Sequence, residues 1–157
     1  MPRTYRVPIV ATSKTASGDI LEILAPATCG FELQGLVLGN TTDFGDAQAE
    51  QLGVTYHRVT GAPTSGSGGN SVTPTPLSPG DAASGCTCES WNSTPLSGGT
   101  STDLGQSTLN VAIGLQDIEI PEGRIRIAPS TRLMIKLAST PNDAITLGGY
   151  ATITELE

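Results

Sequence analysis

Apolar and polar positions alternate with the two-residue period of a β-strand over much of the chain. In Tyr5-Arg6-Val7-Pro8-Ile9-Val10-Ala11, one face carries Tyr5, Val7, Ile9 and Ala11. Pro8 falls on the other phase and lacks a backbone donor, which suits an edge strand. Ser17-Gly18-Asp19 predicts a turn, and Ile20–Leu24 a second strand that stops before Pro26. The third runs from Gly30 to Leu38. There Phe31 and Leu33 alternate with Glu32 and Gln34, and Leu36-Val37-Leu38 is apolar throughout, as in a strand end buried on both faces.

Asp43 to Leu52 is the one helical expectation. Asp43 or Asp46 can cap a turn, Ala, Gln and Glu favour it, and Gly53 ends it. Val54–Val59 returns to strand. Residues 61–84 then predict a long extended loop, first Gly/Ser-rich and flexible, then Pro-rich and stiff. Cys86–Asn92 fits a short strand, and 93–107 a second loop. Leu109, Val111, Ile113 and Leu115 alternate with smaller residues, and Pro121-Glu122-Gly123 predicts a turn. Strands are expected at Arg124–Ile127 and Leu133–Leu137, then from Ala144 to Leu156 with a bend at Gly148-Gly149. Eight to ten short strands and one helical turn near 43–52 predict an all-β fold. The expected form is a single antiparallel β-sandwich spanning 1–157, jelly-roll-like.

Composition narrows the function classes. Acidic residues outnumber basic ones 15 to 8, giving a net charge of −7. That balance argues against nucleic-acid or anionic-membrane binding, which call for a basic face. No stretch approaches the ~20 apolar residues of a membrane span. The amino-terminal residues lack the apolar run of a secretory signal, so the expectation is a chain made in a cytoplasm or one already processed. Three cysteines are too few for a disulfide framework, and reduced thiols are expected, with a Cys29 link to Cys86 or Cys88 as the alternative.

Catalytic residue types are sparse, and no enzyme is expected. His57 is the only histidine, and no Gly-x-Ser-x-Gly accompanies it. Neither Cys86-x-Cys88 nor the acids Asp43, Asp46 and Glu50 make a convincing metal set, so no metal and no cofactor is predicted. Glu155 and Glu157 are the nearest approach to a glycosidase pair. Gly66-Ser67-Gly68-Gly69-Asn70 lacks the Lys and helix of a phosphate-binding loop. The triplets Asn40-Thr41-Thr42 and Asn92-Ser93-Thr94 read as chance matches to the glycosylation signal. Arg124, Arg126 and Arg132 form the one basic cluster, either a solvated face or a docking site for an acidic neighbour.

Four local patterns resemble small all-β proteins that decorate or cement the heads of tailed bacteriophages. They are Asp19-Ile20-Leu21-Glu22-Ile23 with Ala25-Pro26-Ala27; Leu36-Val37-Leu38-Gly39 with Asp43 to Glu50; Thr64 to Gly69 ahead of Thr73-Pro74-Thr75-Pro76-Leu77; and Ile127 to Leu133 with Ile153-Thr154-Glu155-Leu156. The resemblance implies a non-enzymatic virion protein on the capsid surface, made in the host cytoplasm. Its partners would be the major capsid protein and copies of itself, a homotrimer being favoured. Contacts are then expected at Tyr5 in the amino-terminal arm, at Thr64, Ser65, Pro74 and Pro76 in the long loop, and at Arg124, Arg126 and Arg132. The rival expectation is a carbohydrate-binding jelly roll used in host recognition, with Trp91 as its discriminating residue.

Overall fold

The computed structural model describes residues 2–41 and 50–156. Twelve strands make up its regular structure: β1 (Arg3–Lys14), β2 (Gly18–Leu24), β3 (Gly30–Asn40), β4 (Gln51–Thr60), β5 (Asn70–Val72), β6 (Thr75–Pro76), β7 (Thr87–Ser90), β8 (Thr100–Asn110), β9 (Leu115–Ile118), β10 (Ile125–Ile127), β11 (Arg132–Leu137) and β12 (Ile145–Leu156). They form two antiparallel sheets packed as a sandwich. The front sheet has the order β10-β3-β12-β1-β6, with β9 also on β3, and the back sheet β5-β7-β2-β11-β4-β8. One continuous core fills the space between them, including Tyr5, Val7, Phe31, Leu33, Leu36, Tyr56, Leu133, Ile135 and Ile153. Side chains that alternate across each strand supply both inner faces, and burying them drives the packing.

The β-sandwich expected from the alternation is present, with several corrections. In β1 the phase holds for Tyr5, Val7 and Ile9 and then breaks. The register against β12 shifts between Ile9 and Thr12, so Ala11, expected inside, is exposed. The bulge lies opposite Gly148, whose place would bring a Cβ within 3.0 Å of the Ala11 backbone. Pro8 pairs with Tyr150 on one side, and β6 pairs with β1 only at Tyr5 and Arg6. The Pro8 backbone therefore faces an unpaired edge, where its missing donor costs nothing.

The helical expectation at 43–52 falls largely on residues outside those described. Gly53 does not end a helix. It lies within β4, where its N–H donates to Ser139 Oγ at 3.0 Å. The second loop is also corrected, because residues 100–107 belong to β8, an eleven-residue strand on β4. Cys86–Asn92 shortens to β7, and Trp91 lies beyond it with φ 60°. The alternation through Leu109, Val111, Ile113 and Leu115 crosses a turn. Asn110 Oδ1 accepts the N–H groups of Ala112 and Ile113 at 2.9 and 3.2 Å, reversing the chain into β9. Leu109 is wholly buried and Ile113 is 88% exposed. The predicted turn at Pro121-Glu122-Gly123 forms, closed by Gly123 N–H to Ile120 O at 2.9 Å.

Candidate functional site

Two places gather polar chemistry among the described residues. One lies under a strap on the outer face of the back sheet. Its arms are residues 61–69 and 92–99, which pair with each other. Thr64 and Ser97 exchange backbone hydrogen bonds at 2.9 and 3.1 Å, and Ser67 and Thr94 exchange two at 3.0 Å. Val59 and Met134 are buried outside the main core cluster. Val59 lies beneath Gly99, whose place brings a Cβ to 3.2 Å from it. Met134 lies cross-strand from Glu22 and His57.

Buried carboxylates hold this strap. Glu22, 2% exposed, pairs with Arg132. It accepts Ser65 Oγ at 2.8 Å, Gly66 N–H at 3.1 Å and Asn92 Nδ2 at 3.3 Å. Gly66 is required for this close approach, because a Cβ there would meet Asn92 Nδ2 at 2.4 Å. Asp19 Oδ2 accepts Leu96 N–H at 3.1 Å from the other arm. Burial raises the Asp19 carboxyl above its ordinary value, against the pull of the Leu96 hydrogen bond. Asn92, the second glycosylation-type asparagine, is buried in this network.

The second place is a cleft along the side of the sandwich where β10 is the last strand of the front sheet. Two cavities flank β10, of about 580 and 620 Å³, and Arg58 and Arg126 line both. Arg58 is in phase with the core residues Val54 and Tyr56 and lies opposite the fully buried Leu133, so it issues from between the sheets. Arg124 and Arg126 project from the other face of β10. There Arg126 Nε meets Glu32 Oε1 at 2.7 Å and Arg124 Nη1 meets Glu32 Oε2 at 3.5 Å. Arg126 remains 72% exposed, and Arg124 Nε is buried without a partner. No carboxylate of the described residues pairs with Arg58. Three of the eight basic residues of an acidic chain thus collect at one strand.

The residues expected to contact partners are dispersed. Tyr5 is a correction: it is 0% exposed, and its hydroxyl donates to Ala82 O at 3.0 Å. Its alternation marked the core phase of β1, and that phase decides its position. Thr64 and Ser65 lie on the strap, with Ser65 turned to Glu22 and Glu89. Pro74 is buried, and Pro76 pairs with Tyr5 in the short β6. Of the basic residues, Arg124 and Arg126 come together on Glu32, while Arg132 belongs to the strap. Arg58 was not singled out from the sequence. Its signal was a charge on the apolar phase of β4, visible only once that phase is known.

Other candidates resolve into structural roles. His57 Nε2 lies 3.0 Å from Thr55 Oγ1. Glu155 accepts Ser84 Oγ at 2.6 Å and Gly85 N–H at 2.8 Å, and Glu157 is outside the described residues. Asp43 and Asp46 are also outside them, while Glu50 accepts Asn142 N–H at 3.0 and 3.2 Å. No group of three metal-binding side chains occurs among the described residues. All three cysteines are free, and burial pushes the Cys86 thiol up to about 12 and also raises Cys88. Tyr56 donates to Asp117 Oδ2 at 2.7 Å, and Ser107 donates to the same oxygen, so Asp117 ties the back sheet to β9. Trp91 is 3% exposed, its Nε1 donates to Val10 O at 2.7 Å, and Lys14 Nζ lies 4.7 Å from its ring centre. It presents no open face on which to stack a sugar.

Comparisons of the chain with protein-family models, curated proteins and solved structures find no match.

Proposed function

We propose that this chain is a non-enzymatic structural protein, a decoration or cement protein on the head of a phage-like particle. Its partners in this reading are the major capsid protein and copies of itself. The observation that carries the assembly role is the segment 113–120. It holds three of the five exposed large apolar side chains among the described residues: Ile113, Ile118 and Ile120, at 88, 69 and 67% exposure. Apolar surface gathered beside open strand edges marks an interaction face. The resemblance in the sequence supplies the particle.

Contacts repeated over a lattice reinforce one another, so each can be weak. Light scattering on a sizing column tests the self-association. A trimer near 48 kDa, three times 16.1 kDa, that Ile118→Ser with Ile120→Ser converts to monomer is expected. Co-sedimentation with phage heads lacking their decoration protein tests the particle. A protein that stays monomeric at every concentration and remains in the supernatant when the heads sediment overturns the reading.

A further inference from the structure

The cleft around β10 has a backbone as well as a charge. β10 pairs with β3 through Ile125–Leu33, Arg126–Glu32 and Ile127–Phe31, and no strand of the described residues pairs with its other edge. That edge opens onto both cavities. Arg58 stands on its inner side, rising from between the sheets, and Arg124 and Arg126 stand on its outer side. Leu104, packed against the core, lines one cavity, and Ile127 and Leu156 line the other.

We propose that the free edge of β10 accepts an extended acidic segment of a partner protein as an added strand. A strand laid along the edge supplies hydrogen-bond partners for β10, while its side chains point alternately to the two faces. Both faces meet arginine. Carboxylates on one face of the segment reach Arg58, and those on the other reach the exposed Arg126. Glu32 offsets part of the charge of the outer pair, but Arg58 has no counterion among the described residues. A lone small anion would meet one face and leave the backbone edge unpaired. Arginine also suits carboxylates, since its planar fork can bind both oxygens. The inference deepens the assembly reading and rests on it only for the identity of the partner.

The test uses the isolated chain and a synthetic peptide alternating glutamate and valine. Affinity is read by fluorescence anisotropy and location by amide shifts at Ile125–Ile127. Binding that weakens with salt is expected, with a loss of about tenfold or more in Arg58→Gln and only partial recovery in Arg58→Lys, which keeps the charge without the fork. Unchanged thermal melting of both variants shows that the fold is intact. A peptide with glutamine in place of glutamate should bind about tenfold more weakly, and one methylated on its backbone nitrogens should also lose affinity. No binding at millimolar peptide overturns the site. Binding indifferent to Arg58→Gln overturns the role of the arginines, and binding indifferent to backbone methylation overturns the added strand. A dimer of the chain that Arg58→Gln abolishes would assign the edge to a second copy and overturn the foreign segment. None of these outcomes depends on attachment to a particle, so failure here and failure of the proposed function remain distinguishable.

Discussion

The strap at 61–69 and 92–99 and the segment 111–126 invert what their compositions suggest. The strap is almost all Gly, Ser, Thr, Pro and Asn, and by composition it reads as mobile. It is nevertheless cross-paired by backbone hydrogen bonds and tied to two buried carboxylates. The segment 111–126 carries isoleucine at 113, 118, 120 and 125, yet three of these side chains stand in solvent. Apolar content sets how much a segment gains from burial. Whether it is held is also decided by where its N–H and C=O groups find partners. A glycine-rich arm gives a buried glutamate close access to N–H groups, which bulkier residues would obstruct.

The sharpest way to break the contrast is Glu22→Ala. It leaves Arg132 without its carboxylate under the strap and frees Gly66 N–H. A loss of ~3–5 kcal/mol is expected, as for other broken buried pairs. Urea unfolding reads the loss, and hydrogen exchange should quicken first in 61–69 and 92–99. If those amides keep their protection, Glu22 does not hold the strap.

A smaller effect concerns Asp19, faced by Lys136, Glu22 and His57. Its folded pKa lies above the unfolded value of 3.8. The stability linked to its proton is therefore fully present below that value and is lost as pH rises through the raised folded pKa. Asp19→Asn keeps an acceptor for Leu96 N–H and removes that loss. The variant should gain stability relative to the parent as pH rises from 3.8 toward neutrality, by less than Glu22→Ala loses. Equal pH profiles for the two proteins would show that Asp19 titrates normally.

The smallest effect on the fold is expected in the other region. Ile113→Ser, Ile118→Ser and Ile120→Ser should each change stability by only about 0.5 kcal/mol or less, because exposed side chains contribute little to folding. Calorimetry checks this. A larger loss from any of them would place that isoleucine against the core and weaken the contrast.

Much of the sandwich was legible because apolar residues recur at every second position over long parts of β1, β3 and β12, and β11 is an apolar run. β8 was not, since Thr100 to Ser107 offers only Leu104 to a core and lies at a sheet edge. Its strand state comes from pairing with β4, a long-range fact invisible in a local window. The reversal at Asn110 was hidden for the opposite reason, because the apolar period ran unbroken across an Asx turn. At the candidate cleft, Arg124 and Arg126 were legible as one face of a strand. Arg58 was not, because its meaning depends on β10, whose residues lie more than sixty positions away. The glutamate of Asp19-Ile20-Leu21-Glu22 gave no local sign that it lies beneath two distant arms.

The single tryptophan gives the molecule a native optical probe. Trp91 stands where β7 hands over to the second arm of the strap, with its backbone N–H on Ile20 O of the back sheet at 3.0 Å. Its indole is fixed to Val10 and Lys14 of the front sheet. Its emission wavelength and quenching by iodide therefore register, without a label, any opening that lets water reach the base of the strap or the seam between the sheets.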